Sequence, residues 1–144
     1  MDLPRLLRHA EHAGIYHLPP GGQQSLAAAA ASADLAYFHC DLGDNPALDA
    51  ALARLAECLQ FPDWFGHNLD ALHDCLTDLS WHDAAGWVLL VSGIDALRTA
   101  DKAGYAALSE VLSDAAGYWR ALETPFWVFL DLRADGLADL PTIG

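Results

Sequence analysis

A chain of 144 residues that is 53% hydrophobic has material for a core of its own, so one compact domain is the expectation. Its 20 acidic side chains against 7 Lys and Arg give a net charge of -13 with the histidines neutral. That balance argues against nucleic acid as a partner, because a phosphate backbone needs a Lys/Arg stripe, and it favours a basic protein, although acidity also serves solubility alone.

Residues 1–35 differ from the rest. They hold a short polar helix candidate, a strand candidate over Gly14–Leu18, the break Pro19-Pro20-Gly21-Gly22 and an alanine-rich stretch, Leu26–Ala31, that favours helix but packs weakly. This region reads as an N-terminal strand/helix extension packed on a main unit over 36–144, not as a second domain. Met1–Arg5 leads into mixed charged and apolar residues without the continuous apolar segment that export requires, and no later run reaches membrane-spanning length. A cytoplasmic protein that does not engage a membrane is expected.

Ala36–Leu42 is an apolar, aromatic run suited to a strand. Asn45 is expected to cap a helix beginning at Pro46, where the missing N–H costs nothing. Leu48, Leu52, Leu55 and Leu59 recur at helical spacing until Phe61-Pro62 ends the run, and a second helix begins near Asn68. Gly86–Val91 and Phe126–Leu130 are short continuous apolar runs, as in strands covered on both faces, so Trp87, Phe126, Trp127 and Phe129 belong to the core. Between them a helix is expected over roughly Lys102–Leu122, with Gly104 and Gly117 as weak points. Strand, helices, strand, helix, strand implies an α/β fold with a parallel sheet.

The second helix carries the chemistry. At about 100° per residue, Leu69, Leu72, Leu76 and Leu79 share one face while Asp70, Asp74 and Asp78 line the opposite one. Asn68 is a natural N-cap, which puts Asp70 in the first turn where the helix dipole favours negative charge. Like charges at i,i+4 cost an isolated helix about 0.2–0.5 kcal/mol per pair, which points to a role outside the helix. Spacing alone favours a merely solvated face.

Other constellations carry less. His9 and His12 could share a helix face, but no further ligand pattern completes a metal site, and surface histidines are expected. His67 and His73 flank the acidic face and could titrate near neutral pH. Asp70 and Asp74 as a catalytic pair would lie on an open helix face without a base-orienting partner, and no phosphate-binding glycine loop or nucleophile elbow occurs. No enzyme activity, metal or cofactor is expected. Cys40, Cys58 and Cys75 lack the paired spacing of zinc or redox sites and read as reduced, buried small hydrophobes.

The segment Phe61-Pro62-Asp63-Trp64-Phe65-Gly66-His67-Asn68-Leu69-Asp70-Ala71-Leu72-His73-Asp74-Cys75-Leu76-Thr77 closely resembles the signature of the barstar family, intracellular inhibitors of barnase-type ribonucleases. The resemblance spans about Ala36–Leu132 and leaves residues 1–35 outside it. It implies a three-stranded parallel sheet covered by helices, with the motif helix and the loop before it plugging the nuclease active site. By position, Asp74 matches the family's central acidic anchor, which stands in for a substrate phosphate, and Asp70 matches a second acidic contact. Gly66 and Asn68 belong to the same partner-binding motif. Trp64 stands where the family has a contact tyrosine, His73 where its best-known member has a tryptophan, and Asp114 matches a glutamate on the later helix. Trp81 falls in an inserted loop with no fixed counterpart. The function implied is inhibition of a basic ribonuclease by a protein that is monomeric when free. The alternative is a barstar-fold interaction or immunity module that binds a different basic protein or toxin without inhibiting RNA cleavage.

Overall fold

The computed structural model describes residues 2–19 and 21–131. In chain order the elements are α1 (Leu3–Leu7), a 3-10 turn (Ala10–His12), β1 (Ile15–His17), α2 (Gln23–Ser32), β2 (Ala36–Asp41), α3 (Leu48–Leu59) and α4 (Leu69–Leu76). They continue with β3 (Trp87–Ser92), α5 (Asp95–Ala100), α6 (Lys102–Ala121) and β4 (Phe126–Leu130). The strands form one parallel sheet in the order β1-β4-β3-β2. The three strands implied by the resemblance are therefore joined by a fourth from the extension, with Ile15 opposite Val128 and His17 opposite Leu130.

Every residue of β3 and β4 is buried, as their unbroken apolar runs require. The period-two alternation of a strand sends their side chains into two cores. Leu89, Val91, Val128 and Leu130 face α3, α4, α5 and α6. Val88, Leu90, Trp127 and Phe129 face the other way, where Leu7 of α1 and Leu26, Ala29 and Ala30 of α2 cover them. The alanine run thus lies directly on the sheet, its small side chains permitting a close approach, and Trp127 Nε1 donates to the Leu7 carbonyl at 2.9 Å.

At four points the structure adds to or departs from the local reading. The helix expected from Pro46 starts at Leu48, because the Asn45 oxygen is engaged two residues on, accepting from the Ala47 N–H at 3.0 Å in a side-chain turn. Its end is set by Gln60, whose left-handed backbone (φ 55°) lets the Phe61 N–H return to the Ala56 carbonyl. Gly104 is no weak point: its N–H is capped by Asp101 Oδ1 at 2.9 Å, and a Cβ there would stand 2.4 Å from Asp101 Oδ2. A short helix, α5, precedes that cap, closed by the Arg98–Asp95 ion pair at 2.8 Å.

Candidate partner-binding site

The loop between α3 and α4 is built on an aromatic row. Phe65 is buried and its ring lies 4.9 Å from Phe61 and 4.8 Å from His67, while Trp81 meets Phe61 edge-on at 6.1 Å. With Phe65 turned into the core, its neighbour Trp64 is turned out and is 57% exposed, the most exposed large apolar side chain among the described residues. Trp81, which the sequence left without a counterpart, acts as a brace: its Nε1 donates to the Leu59 carbonyl at 3.0 Å, tying the end of α3 to the segment after α4.

The turn into α4 follows from two residues of the motif. Asn68 Oδ1 accepts the Ala71 N–H at 2.8 Å, the expected N-cap, while its Nδ2 donates to the Gly66 carbonyl at 3.4 Å. A Cβ on Gly66 would lie 3.3 Å from that Nδ2, so the glycine leaves room for the cap. Gly66 and Asn68 therefore position the helix start. His67, in a left-handed conformation (φ 53°), makes the bend between them.

From this cap α4 presents Asp70 and Asp74 one turn apart, both exposed, with Leu72, Cys75 and Leu76 buried behind them. His73 is half-buried. Asp78 is corrected: α4 ends at Leu76, Thr77 closes it by donating its hydroxyl to the His73 carbonyl at 2.8 Å, and Asp78 lies beyond, in a bend where its carboxylate accepts the Ser80 N–H at 3.3 Å. Leu79 still reaches the core, but through a left-handed backbone (φ 52°) and not by helical periodicity. The acidic helix face thus consists of Asp70 and Asp74. Inside the helix, burial first, and then the charges of Asp74 and of Asp78 beyond the helix end, push the Cys75 thiol up to about 11.

Asp114 is exposed on α6, the helix packed beside α4 and held there by Trp119, whose Nε1 donates to the Leu76 carbonyl at 2.7 Å. No hydrogen bond among the described residues joins Asp114 to the α4 carboxylates. Nor does any ion pair among the described residues engage Asp70, Asp74 or Asp114, so the fold leaves their charge uncommitted.

A model of the family described as Barstar (barnase inhibitor) matches residues 35–131. The chain belongs to the barstar family. No curated protein matches it. Members of this family are inhibitors and not enzymes. The family match runs from β2 to β4 and takes in the whole of α3, the aromatic loop, α4 and α6, so every candidate partner-binding residue lies within it. The helices that cover the opposite sheet face, α1 and α2, and the edge strand β1 lie outside it.

Two features lie beside the family motif, and the first of them escaped the sequence. A shallow cleft of about 470 Å³ runs between α3 and the aromatic loop, lined by Ala53, Ala56, Glu57, Phe61, Phe65 and His67. Its only sequence signal is the Phe61/Phe65 pair, which fits core packing equally well. His9 and His12 are exposed on the 3-10 turn with rings 6.1 Å apart, and Glu11 lies 3.2 Å from His9 and 3.9 Å from His12. Among the described residues no group of three His, Cys, Asp or Glu could hold a metal ion, and no helix is long and apolar enough to cross a membrane.

Proposed function

We propose that this protein inhibits a barnase-type ribonuclease by seating Asp74 among the cationic groups of the nuclease active site, with Asp70, Trp64, His73 and Asp114 completing the contact. The observation that carries this reading is the uncommitted pair Asp70 and Asp74, fixed on a capped helix next to the outward-facing Trp64, inside the segment that matches the family. A carboxylate already ordered on a helix gives up little freedom on binding and forms charge-assisted hydrogen bonds to Arg. A net charge of -13 steers the encounter with a basic cleft. The protein acts as a monomer, in the same compartment as the nuclease it restrains, the cytoplasm.

Titrating a barnase-type ribonuclease with the protein tests this directly. Cleavage of RNA is expected to disappear near one inhibitor per enzyme, and association to slow as salt is raised. Full cleavage in the presence of a clear excess, across the candidate nucleases, would overturn the proposal.

A second reading rests on the half-buried His73. An imidazole there offers a smaller apolar contact than an indole and a hydrogen-bonding edge, which suits a barstar-fold module for a different basic protein or toxin. Such a module would form a salt-sensitive complex with its partner and leave RNA cleavage by barnase-type enzymes intact.

A further inference from the structure

The sequence presents three cysteines with no paired spacing, but the fold pairs two of them. Cys40 sits on β2, at the edge of the sheet, and Cys58 lies one residue before the end of α3. Packing of α3 against β2 brings their thiols into hydrogen-bonding contact. Cys58 Sγ also donates to the carbonyl of His39, the residue before Cys40, at 3.3 Å. Cys75 is buried on α4 and has no such neighbour among the described cysteines.

The two paired thiols are unequal. Cys40 is 1% exposed, whereas Cys58 is open to solvent on one side. The bond to Cys58, followed by burial, holds the Cys40 proton in place. Cys58 is shifted the other way, chiefly by that same bond from Cys40; burial opposes the shift and Arg54, one turn earlier on α3, assists it. Arg54 is itself held in position, its Nε donating to the Asp41 carbonyl at 3.0 Å and its Nη1 to Glu57 at 3.1 Å. A solvent-reached thiol next to a buried partner thiol is the arrangement of an attacking and a resolving cysteine.

We infer that Cys40 and Cys58 form an oxidisable dithiol that reacts with low-molecular-weight disulfides, with Cys58 attacking and Cys40 resolving. The Cys58 thiolate attacks one sulfur of the small disulfide, forming a mixed disulfide and releasing one thiolate. Cys40 then attacks Cys58 Sγ, releasing the second small thiolate, which takes up the proton Cys40 loses. Two electrons pass from the protein to the small disulfide, which leaves as two thiols. The product is a covalent link between the edge strand and the helix that leads into the Trp64 loop.

The test uses the reduced full-length protein incubated in its folded state with oxidised glutathione and then peptide-mapped without reductant. The expected product is a Cys40–Cys58 linked peptide pair, with the protein two hydrogens lighter and Cys75 free. Cys40→Ala is expected to accumulate glutathione on Cys58, and Cys58→Ala to leave Cys40 modified at least about tenfold more slowly. A wild-type protein that ends as a stable mixed disulfide, or in which Cys75 reacts as fast as Cys58, would overturn the inference. Circular dichroism reports whether each variant folds, and where one does not, the wild-type map decides alone.

Discussion

The two faces of the sheet are built on different plans. On one face, α4 divides its side chains sharply, with Leu72 and Leu76 in the core and Asp70 and Asp74 in solvent, and the loop before it does the same with Phe65 and Trp64. On the other, α2 offers Leu26 and small alanines to Trp127 and Phe129, with no charged residue along its length. The first plan serves both packing and display, whereas the second serves packing alone. Stability and recognition should therefore separate by face, and substitutions can show whether they do.

The largest effect is expected from Trp127→Ala on the packing face. Loss of a fully buried indole and its bond to Leu7 should lower stability by about 3–5 kcal/mol in urea denaturation, while the fraction that remains folded still binds a nuclease with unchanged affinity. Weakened binding by that folded fraction would mean that the faces are coupled. Asp74→Ala should do the reverse, costing about 2–5 kcal/mol of affinity, a range that barnase–barstar charge pairs helped to set, with the urea midpoint hardly moved. Asp78→Ala belongs in the same titration as a control: lying past the helix end and bonded to Ser80, it should change affinity by less than about threefold.

Asn68→Ala should blur the comparison, because the cap serves both roles. A stability loss of about 0.5–2 kcal/mol is expected together with weaker binding, since the start of the helix carrying Asp70 loosens. Loss of stability with no change in binding would place the cap outside the recognition surface.

The smallest effect concerns Asp131, at the end of β4. Burial raises its carboxyl above the ordinary range, against the lowering effect of the Gly93 N–H that it accepts at 3.0 Å, and Asp44 and Asp41 add repulsion. A carboxyl raised in the folded state binds its proton more tightly there than in the unfolded chain. Its ionisation therefore removes stability as pH rises from the unfolded value through the folded one. Asp131→Asn, which keeps an acceptor for Gly93, should raise the melting temperature slightly at neutral pH, and the gain should vanish in acid. A gain that persists below the carboxylate range would assign the effect to something other than this charge.

Much of the site was legible because it depends on short-range rules. The Asn68 cap, the exposure of Asp70 and Asp74 and the burial of Leu72 and Leu76 follow from residues within two helical turns of one another. Periodicity failed where a local hydrogen bond overrode it. Asn45 bonded Ala47 instead of capping at Pro46, and Thr77 closed α4 before Asp78 could join its face. The Trp81 brace and the cleft beside Phe61 were hidden because each joins segments separated along the chain, and no spacing rule relates Trp81 to Leu59.

By itself the sequence determined the α/β alternation, the buried strands β3 and β4 and the acidic motif helix, since apolar runs, leucine spacing and a capping residue act within a single element. Only the tertiary structure decided that the extension adds an edge strand and roofs the second face, that Asp114 is displayed from the helix beside α4, and that Cys40 meets Cys58. Each of those depends on which elements become neighbours when both faces of the sheet must be covered, and that is a property of the whole chain's packing.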